Sequence, residues 1–337
     1  MKNIFIYAGY SPAKWNGSNY QEFSECRGSE IALVHIAEGL AKTHNVTVSF
    51  DPIDVGVFNN VNYIHPEDIQ EYLDTTEVDA LIVSRYIHFF IKYTNTAKKT
   101  YLWLHDYEAL PYYYGQSLPN NGIPIVKNSN IEAIVPLTNW HKDHISNHYQ
   151  ISDGINIIGN GINADKFKDY DPSNKIKDRF VFFSGNGGLT DAIKWFLKFK
   201  EKRPYASLHI FMNYEKTNEW ERSMSGNGIV YRGIIPNDEL IKELLVSEYW
   251  IYPATVNETF CTSILEAKAA GCIPIVRLRG GMNDVIGDSY FDIDDPNSIE
   301  NILNTKDIDT IRSNNRINAL EYTWDRRVSE WSDLLGF

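Results

Sequence analysis

The chain has 337 residues, 43% of them hydrophobic and 23% charged, and 44 Asp and Glu against 32 Lys and Arg give it a formal net charge of −12. That length exceeds one ordinary core and suits two domains of roughly 150 residues each, with the composition of a globular protein. The acidic balance disfavours nucleic acid or anionic lipid as the main partner, because both need a basic footprint.

The opening MKNIFIYAGYSP carries an apolar run too short for a signal-peptide core and reads as a first strand, Asn3 to Tyr7. No window approaches the roughly 18 uncharged apolar residues of a membrane helix, so no integral membrane segment is expected. Cys26, Cys261 and Cys272 show neither metal-ligand nor paired spacing, which fits a reducing, cytoplasmic setting.

After the first strand, residues 8–28 read as a long loop. A helix is expected from Ser29, since Leu33, Ile36, Ala37 and Leu40 fall on one face, and a strand follows at Val46 to Phe50. Strand, glycine loop, helix, strand is a parallel crossover unit, and in such sheets ligands sit at the carboxyl ends of strands. Further strands are expected at Ala80 to Ser84, Thr100 to Leu104 and Ala133 to Leu137. His105 lies just past the third, a place where a lone histidine is more often structural. The aromatic segment Tyr107 to Gly115 offers either a sugar platform or packed rings. His141, His144 and His148 share a helix face, but no carboxylate or cysteine completes a metal set, and a solvated or packed face is the expectation.

The polar stretch Lys166 to Lys177 reads as a linker. Beyond it come a strand, Phe180 to Ser184, a glycine-rich turn from Gly185 to Gly188, and a helix. The glycine spacing is wrong for a dinucleotide fingerprint. A strand at Leu208 to Phe211, the segment Tyr231-Arg232-Gly233, a helix from Asp238 to Val246 and a strand from Tyr249 to Pro253 lead to NETFCTSILEAKAAGCIPIV, residues 257–276. There Glu258 reads as a loop residue and Glu266 as helical. The helix start, capped by Thr262 or Ser263, offers an anion unpaired N–H donors at Cys261, Thr262 and Ser263. An ionised Glu266 would accept two bonds from the vicinal hydroxyls of a ribose. The Asp-x-Asp matches at Asp292 and Asp307 are too short a pattern to imply a metal site. The chain closes on an amphipathic helix running to Leu335.

Glutamates eight residues apart, followed by EAKAAGCIPIV, resemble the nucleotide-sugar site of retaining GT-B glycosyltransferases of family 4. The resemblance covers most of the chain and is strongest from Tyr249 to Gly281. It implies an α/β fold of GT-B architecture: two Rossmann-like domains facing a cleft, residues 1–167 on the acceptor side and 168–319 for the nucleotide sugar. Residues 320–337 would return to the first domain. It implies transfer of a hexosyl group, with retention, from a nucleoside diphosphate sugar of the GDP-mannose or UDP-glucose type to a hydroxyl on a carbohydrate or glycoconjugate acceptor. No cofactor and no metal are implied, and a homodimer stays open. Carried over by residue, Glu266 binds the donor ribose, Glu258 contacts the transferred sugar and His105 positions it. Gly28, Gly185, Arg232, Gly233 and Phe260 join Cys261, Thr262 and Ser263 around the nucleotide. Gly187 stands where the family usually has an arginine for the diphosphate. Lys194, Arg27, Arg277 and Arg279 are the cations left to replace it. The alternatives are a nucleotide-sugar-binding subunit of weak or no activity and a sugar-nucleotide epimerase of similar fold.

Overall fold

The computed structural model describes residues 1–22, 26, 28–113, 116–183 and 187–337. Two of the residues singled out above, Arg27 and Gly185, lie outside them, as do Tyr114 and Gly115 of the aromatic segment. The chain forms two compact units, Met1–Gly161 with Trp324–Phe337, and Ile162–Thr323.

The first unit holds β1 (Asn3–Trp15), β2 (Asn45–Ile53), β3 (Gly56–Phe58), β4 (Val61–Tyr63), β5 (Ala80–Ser84), β6 (Lys99–Trp103), the hairpin β7 (Tyr112–Tyr113) and β8 (Gln116–Ser117), and β9 (Ala133–Val135). Its seven-stranded sheet runs β3-β4-β2-β1-β5-β6-β9, parallel except where β3 meets β4. Helices α1 (Gly28–Ala41), α2 (Ile69–Thr75), α3 (Phe89–Lys92), α4 (Ile123–Asn128) and α5 (Asn139–Tyr149) complete it. Strands read as continuous apolar runs because both faces are covered: every residue of Ala80–Ser84 is buried.

The expected loop at residues 8–28 begins later than the sequence reading placed it. β1 runs on past Gly9 to Trp15, with irregular register after Tyr7 and again after Tyr10. Gly9, at φ +65°, hides the continuation, since a left-handed residue breaks strand alternation. The extension holds because Trp15 is buried, stacks 4.3 Å from Phe50 and donates its indole N–H to Ser11 Oγ at 2.6 Å.

The second unit carries β10 (Ile176–Phe183), β11 (Ser207–Phe211), β12 (Ile229–Tyr231), β13 (Ser247–Pro253), β14 (Ile273–Arg277) and β15 (Phe291–Asp292) in the order β12-β11-β10-β13-β14-β15, all parallel. This is the doubly wound order, and its switch point lies between β10 and β13. Helices α6 (Leu189–Lys202), α7 (Glu219–Ser223), α8 (Asn237–Val246), α9 (Thr262–Ala269), α10 (Met282–Ile286), α11 (Ser298–Asn304) and α12 (Ile308–Leu320) flank it.

The stretch 166–177 is not a linker but part of this unit. Lys175 Nζ donates to the carbonyls of Leu244, Ser247 and Ala270 at 3.0, 2.6 and 2.8 Å, which closes off carbonyls left by α8 and α9. Burial lowers its pKa to about 8. A lysine-rich stretch looks solvated in sequence; this lysine instead satisfies buried backbone acceptors.

Helix α13 (Trp324–Leu335) belongs to the first unit. Trp331 is fully buried with its ring 5.3 Å from Trp103, and Trp324 stacks 4.9 Å from His35 of α1. Gly39 lets the two helices approach, because a Cβ there would lie 2.2 Å from Val328.

Candidate functional site

In the second unit, the residues that follow β13 and β14 clasp each other. Glu258 N–H donates to Arg279 O at 3.3 Å and Gly281 N–H to Glu258 O at 2.7 Å. Gly280 sits at φ +61°, and a Cβ there would come within 2.7 Å of Glu258 O. Only glycine fits both the backbone angle and the approach. The Glu258 carboxylate accepts the hydroxyl of buried Tyr252 at 2.7 Å. Tyr252 was not singled out in the sequence; strand alternation conceals a residue whose ring packs inside while its hydroxyl reaches the site.

Cys261, not Thr262 or Ser263, is the N-cap of α9, and its side chain makes no capping hydrogen bond. It holds φ +69°, a left-handed conformation rare for a residue with a Cβ. Burial, then the Glu258 charge, pushes its thiol pKa well up, so it stays protonated. Thr262 and Ser263 open the helix, half-buried, with the positive end of the dipole. Glu266 lies in the second turn, half-buried, and accepts from Asn237 Nδ2 at 3.3 Å. Lys166 Nζ in turn donates to Asn237 Oδ1 at 2.8 Å. Burial raises the Glu266 pKa, against the Asn237 bond and the Lys166 charge, which lower it.

The cations sort themselves by geometry. Arg277 is engaged: its guanidinium grips Asp294 through Nε and Nη2 at 2.7 Å each and reaches Asp191 Oδ2 at 2.8 Å. That corrects its reading as an available phosphate cation. Arg279 is exposed beside Gly280 and, among the described residues, forms no ion pair. Lys194 is exposed on α6 with its ammonium 5.8 Å over the Trp220 ring. Gly187, at φ +85°, has room for no side chain, since a Cβ would stand 2.6 Å from Thr255 Oγ1. Gly188, at φ +89°, is pressed harder still, 2.2 Å from Pro253 O. This glycine turn packs on the end of β13 and leaves no place for an arginine.

Two further expectations change. Arg232 N–H donates to Ile210 O at 2.8 Å and is spent in the sheet, so it cannot read a base edge. Its side chain donates to His209 Nδ1 at 3.3 Å. Phe260 is a core residue, 3% exposed, edge-on to Tyr322 at 6.4 Å, and packs instead of lining a nucleotide.

In the first unit, Arg85 organises the strand ends. Its backbone is left-handed at φ +66°. The guanidinium donates to Asp106 through Nε at 2.6 Å and Nη2 at 3.2 Å, and through Nη1 to Ser29 Oγ at 2.9 Å and Glu30 Oε1 at 3.1 Å. One side chain thus ties the start of α1, beside Gly28, to the loop carrying His105. Gly28 itself opens α1 with free space around it, since nothing lies within 4 Å of a Cβ built there. His105 is half-buried, its ring 4.5 Å from Trp103 and both ring nitrogens shielded from water. Burial, then the Arg85 charge, drives its pKa well down, so it is a neutral imidazole. The histidine face of α5 is paired: His144 Nε2 meets Glu108 Oε1 at 2.5 Å, and His141 accepts the Leu137 N–H at 3.2 Å.

No protein-family model matches this sequence, and no curated protein matches it. Solved structures match it along its whole length. HepE of Anabaena in complex with UDP is 14% identical over 100% of both chains, with a TM-score of 0.74; its UDP-glucose complex gives 13% and 0.70, again over 100% of both. A glycosyltransferase from Rickettsia africae is 13% identical over 99% of this chain and 97% of its own, TM-score 0.72. Sucrose-phosphate synthase of Thermosynechococcus elongatus is 14% identical over 99% and 98%, TM-score 0.69. The chain therefore has the GT-B fold, two Rossmann-like units built on parallel sheets.

Arg85→Lys should not stand in for arginine, because one ammonium cannot make the fork to Asp106 and still reach Ser29 and Glu30. Denaturant unfolding should show a loss of about 2 to 4 kcal/mol, and a change under about 0.5 kcal/mol would mean the cluster is only surface pairing. Glu266→Gln keeps an acceptor for Asn237 and removes the charge. The folded pKa lies above the unfolded one, so native Glu266 costs no stability below the ordinary carboxylate range, and its penalty appears as pH rises through that window and stays. The variant should match the parent at about pH 3 and exceed it in unfolding free energy at about pH 8. Equal stability at both would contradict the burial penalty.

Proposed function

We propose that this protein is a glycosyltransferase of the retaining family-4 kind, moving a hexosyl group from a nucleoside diphosphate sugar to a hydroxyl on a carbohydrate acceptor. The observation that carries the reading is the segment from Glu258 to Glu266. Two carboxylates held by separate devices, Tyr252 for one and Asn237 for the other, flank an uncapped helix start beside the sheet's switch point. A helix start favours a diphosphate, Glu266 the ribose hydroxyls behind it, and Glu258 the sugar ahead of it. HepE, of like fold, was solved with UDP and UDP-glucose, which favours a UDP-sugar over GDP-mannose as the donor here.

The chemistry asked of the chain is placement and charge stabilisation. The leaving diphosphate gathers negative charge as the glycosidic bond breaks; the N-terminus of α9 and the Arg279 guanidinium meet it. Glu258, fixed by Tyr252, orients the sugar hydroxyls. No side chain here is cast as a covalent nucleophile, so the acceptor attacks from the face the diphosphate leaves, and that diphosphate takes the proton. Donor binding calls for no metal and no cofactor in this reading.

Gly187 and the engaged Arg277 favour a second reading, a donor-binding subunit without turnover. Incubation with UDP-glucose and a panel of glycosides separates the two: released UDP together with a new glycoside supports the transferase, and tight UDP-glucose binding with neither product supports the subunit. Glu266→Ala should weaken UDP binding by about 2 to 4 kcal/mol by calorimetry, through lost charge-assisted bonds. Glu258→Ala should lower turnover and leave UDP binding unchanged. Equal losses of UDP affinity in both variants would contradict this division of labour.

A further inference from the structure

Three cations from outside α9 grip its carboxyl end, one to each successive carbonyl. Arg316 Nη1 donates to Ala269 O, Lys175 Nζ to Ala270 O at 2.8 Å and Arg312 Nε to Gly271 O at 3.1 Å. Tyr170 packs among them, its ring 4.4 Å from the Arg316 guanidinium carbon. Gly271 admits that ring, since a Cβ there would stand 2.4 Å from it. Arg316 also reaches Phe167 O through Nη2 at 2.9 Å. A fourth cation, Lys268 of α9 itself, is 1% exposed and donates to Ile286 O and Asn318 Oδ1 at 2.7 Å each.

Capping carbonyls calls for hydrogen-bond donors, not for net charge. A Lys or Arg at a helix carboxyl end is ordinary on a surface, where water screens it and the helix gains modestly. Once buried, such a charge is costly unless a carboxylate meets it. Arg312 has such partners in Asp309 and, at 3.5 Å, Glu248. Lys175, Lys268 and Arg316 form no ion pair among the described residues and grip backbone and amide oxygens instead. Burial lowers the pKa of Lys175 and of Lys268 to about 8, so both stay mostly protonated at pH 7. Within α9 the charges of Glu266 and Lys268 cancel, and those of Lys175 and Arg316 are left over. A chain of net charge −12 thus keeps surplus positive charge behind this helix. Its start lies about 12 Å away at 1.5 Å per residue, where the Cys261 side chain makes no capping bond.

We infer that Lys175, Lys268 and Arg316 are positioning residues that act through α9, supplying from behind the helix the positive potential that holds the donor diphosphate, a role that rests on the donor site proposed above. The Gly187 turn leaves no place for an arginine, and the buried cations answer for its charge. UDP, GDP and ADP are titrated by calorimetry into the full chain at low salt, and the uncharged nucleoside of each that binds is measured by saturation-transfer NMR. Arg316→Gln keeps a donor for Ala269 O and removes the charge, whereas Arg316→Lys keeps the charge. The Gln variant should bind the diphosphate about three- to ten-fold more weakly, the effect of one charge on an anion at that distance, and the nucleoside within about two-fold of the parent. The Lys variant should match the parent for both. Lys268→Met replaces a buried charge with an apolar chain of similar length; it should repeat the Gln pattern and carries the comparison if the Arg316 variants do not fold. Equal weakening of nucleoside and diphosphate, no weakening of the diphosphate, or a Lys variant as weak as the Gln one overturns the inference and leaves the donor site standing. A parent that binds none of the three diphosphates removes the donor site and this inference with it.

Discussion

The backbone clasp between Glu258 and Gly280 is the constraint on which the second unit's site depends. It joins the segments after β13 and β14 by two hydrogen bonds, at a separation that a single methyl group would prevent. Because the clasp fixes the Glu258 backbone, the Tyr252 hydroxyl meets its carboxylate in a set position. The same loop then enters α9 through Cys261 in a strained left-handed turn, with no side-chain cap. Backbone strain and an uncapped helix both cost stability, and the diphosphate docking proposed for that helix start would give a reason for keeping them.

Charge is handled in opposite ways in the two units. In the second, Glu266 is kept half-buried near an amide and a lysine, so the charge it carries at neutral pH is poorly compensated until a partner arrives. In the first, Arg85 is compensated by Asp106 and Glu30, and His105 beside it is kept neutral. A poorly compensated carboxylate is fit to bind; a satisfied arginine is fit to hold a loop still.

The parallel fold and the helix that carries Glu266 were legible from the sequence because they rest on local patterns. Apolar runs in Ala80–Ser84 and Ile273–Val276 mark strands buried on both faces, and the run of small residues after Glu266 marks a helix. What escaped was settled by contacts distant in sequence. Arg85 follows a strand with no motif around it, and its partners lie 55 residues before it at Glu30 and 21 after it at Asp106. Lys175 looked solvated because its carbonyl partners lie 69 or more residues away. The reason for Gly187 where the resemblance expects an arginine was hidden as well: its φ of +85° and Thr255, 2.6 Å from a Cβ built there, make a turn suited to glycine. Phe260 and the Arg232 amide were assigned to the nucleotide by position in a pattern, and the core and the sheet claim them instead.

The central claim is that the Glu258 to Glu266 segment binds a nucleoside diphosphate sugar without a metal. Calorimetric titration of the purified protein with UDP-glucose, GDP-mannose and ADP-glucose, in the presence of a chelator, tests it directly. The account predicts saturable binding of UDP-glucose, tighter than of the other two. Binding of none of the three, or binding that appears only when a divalent cation replaces the chelator, would contradict it.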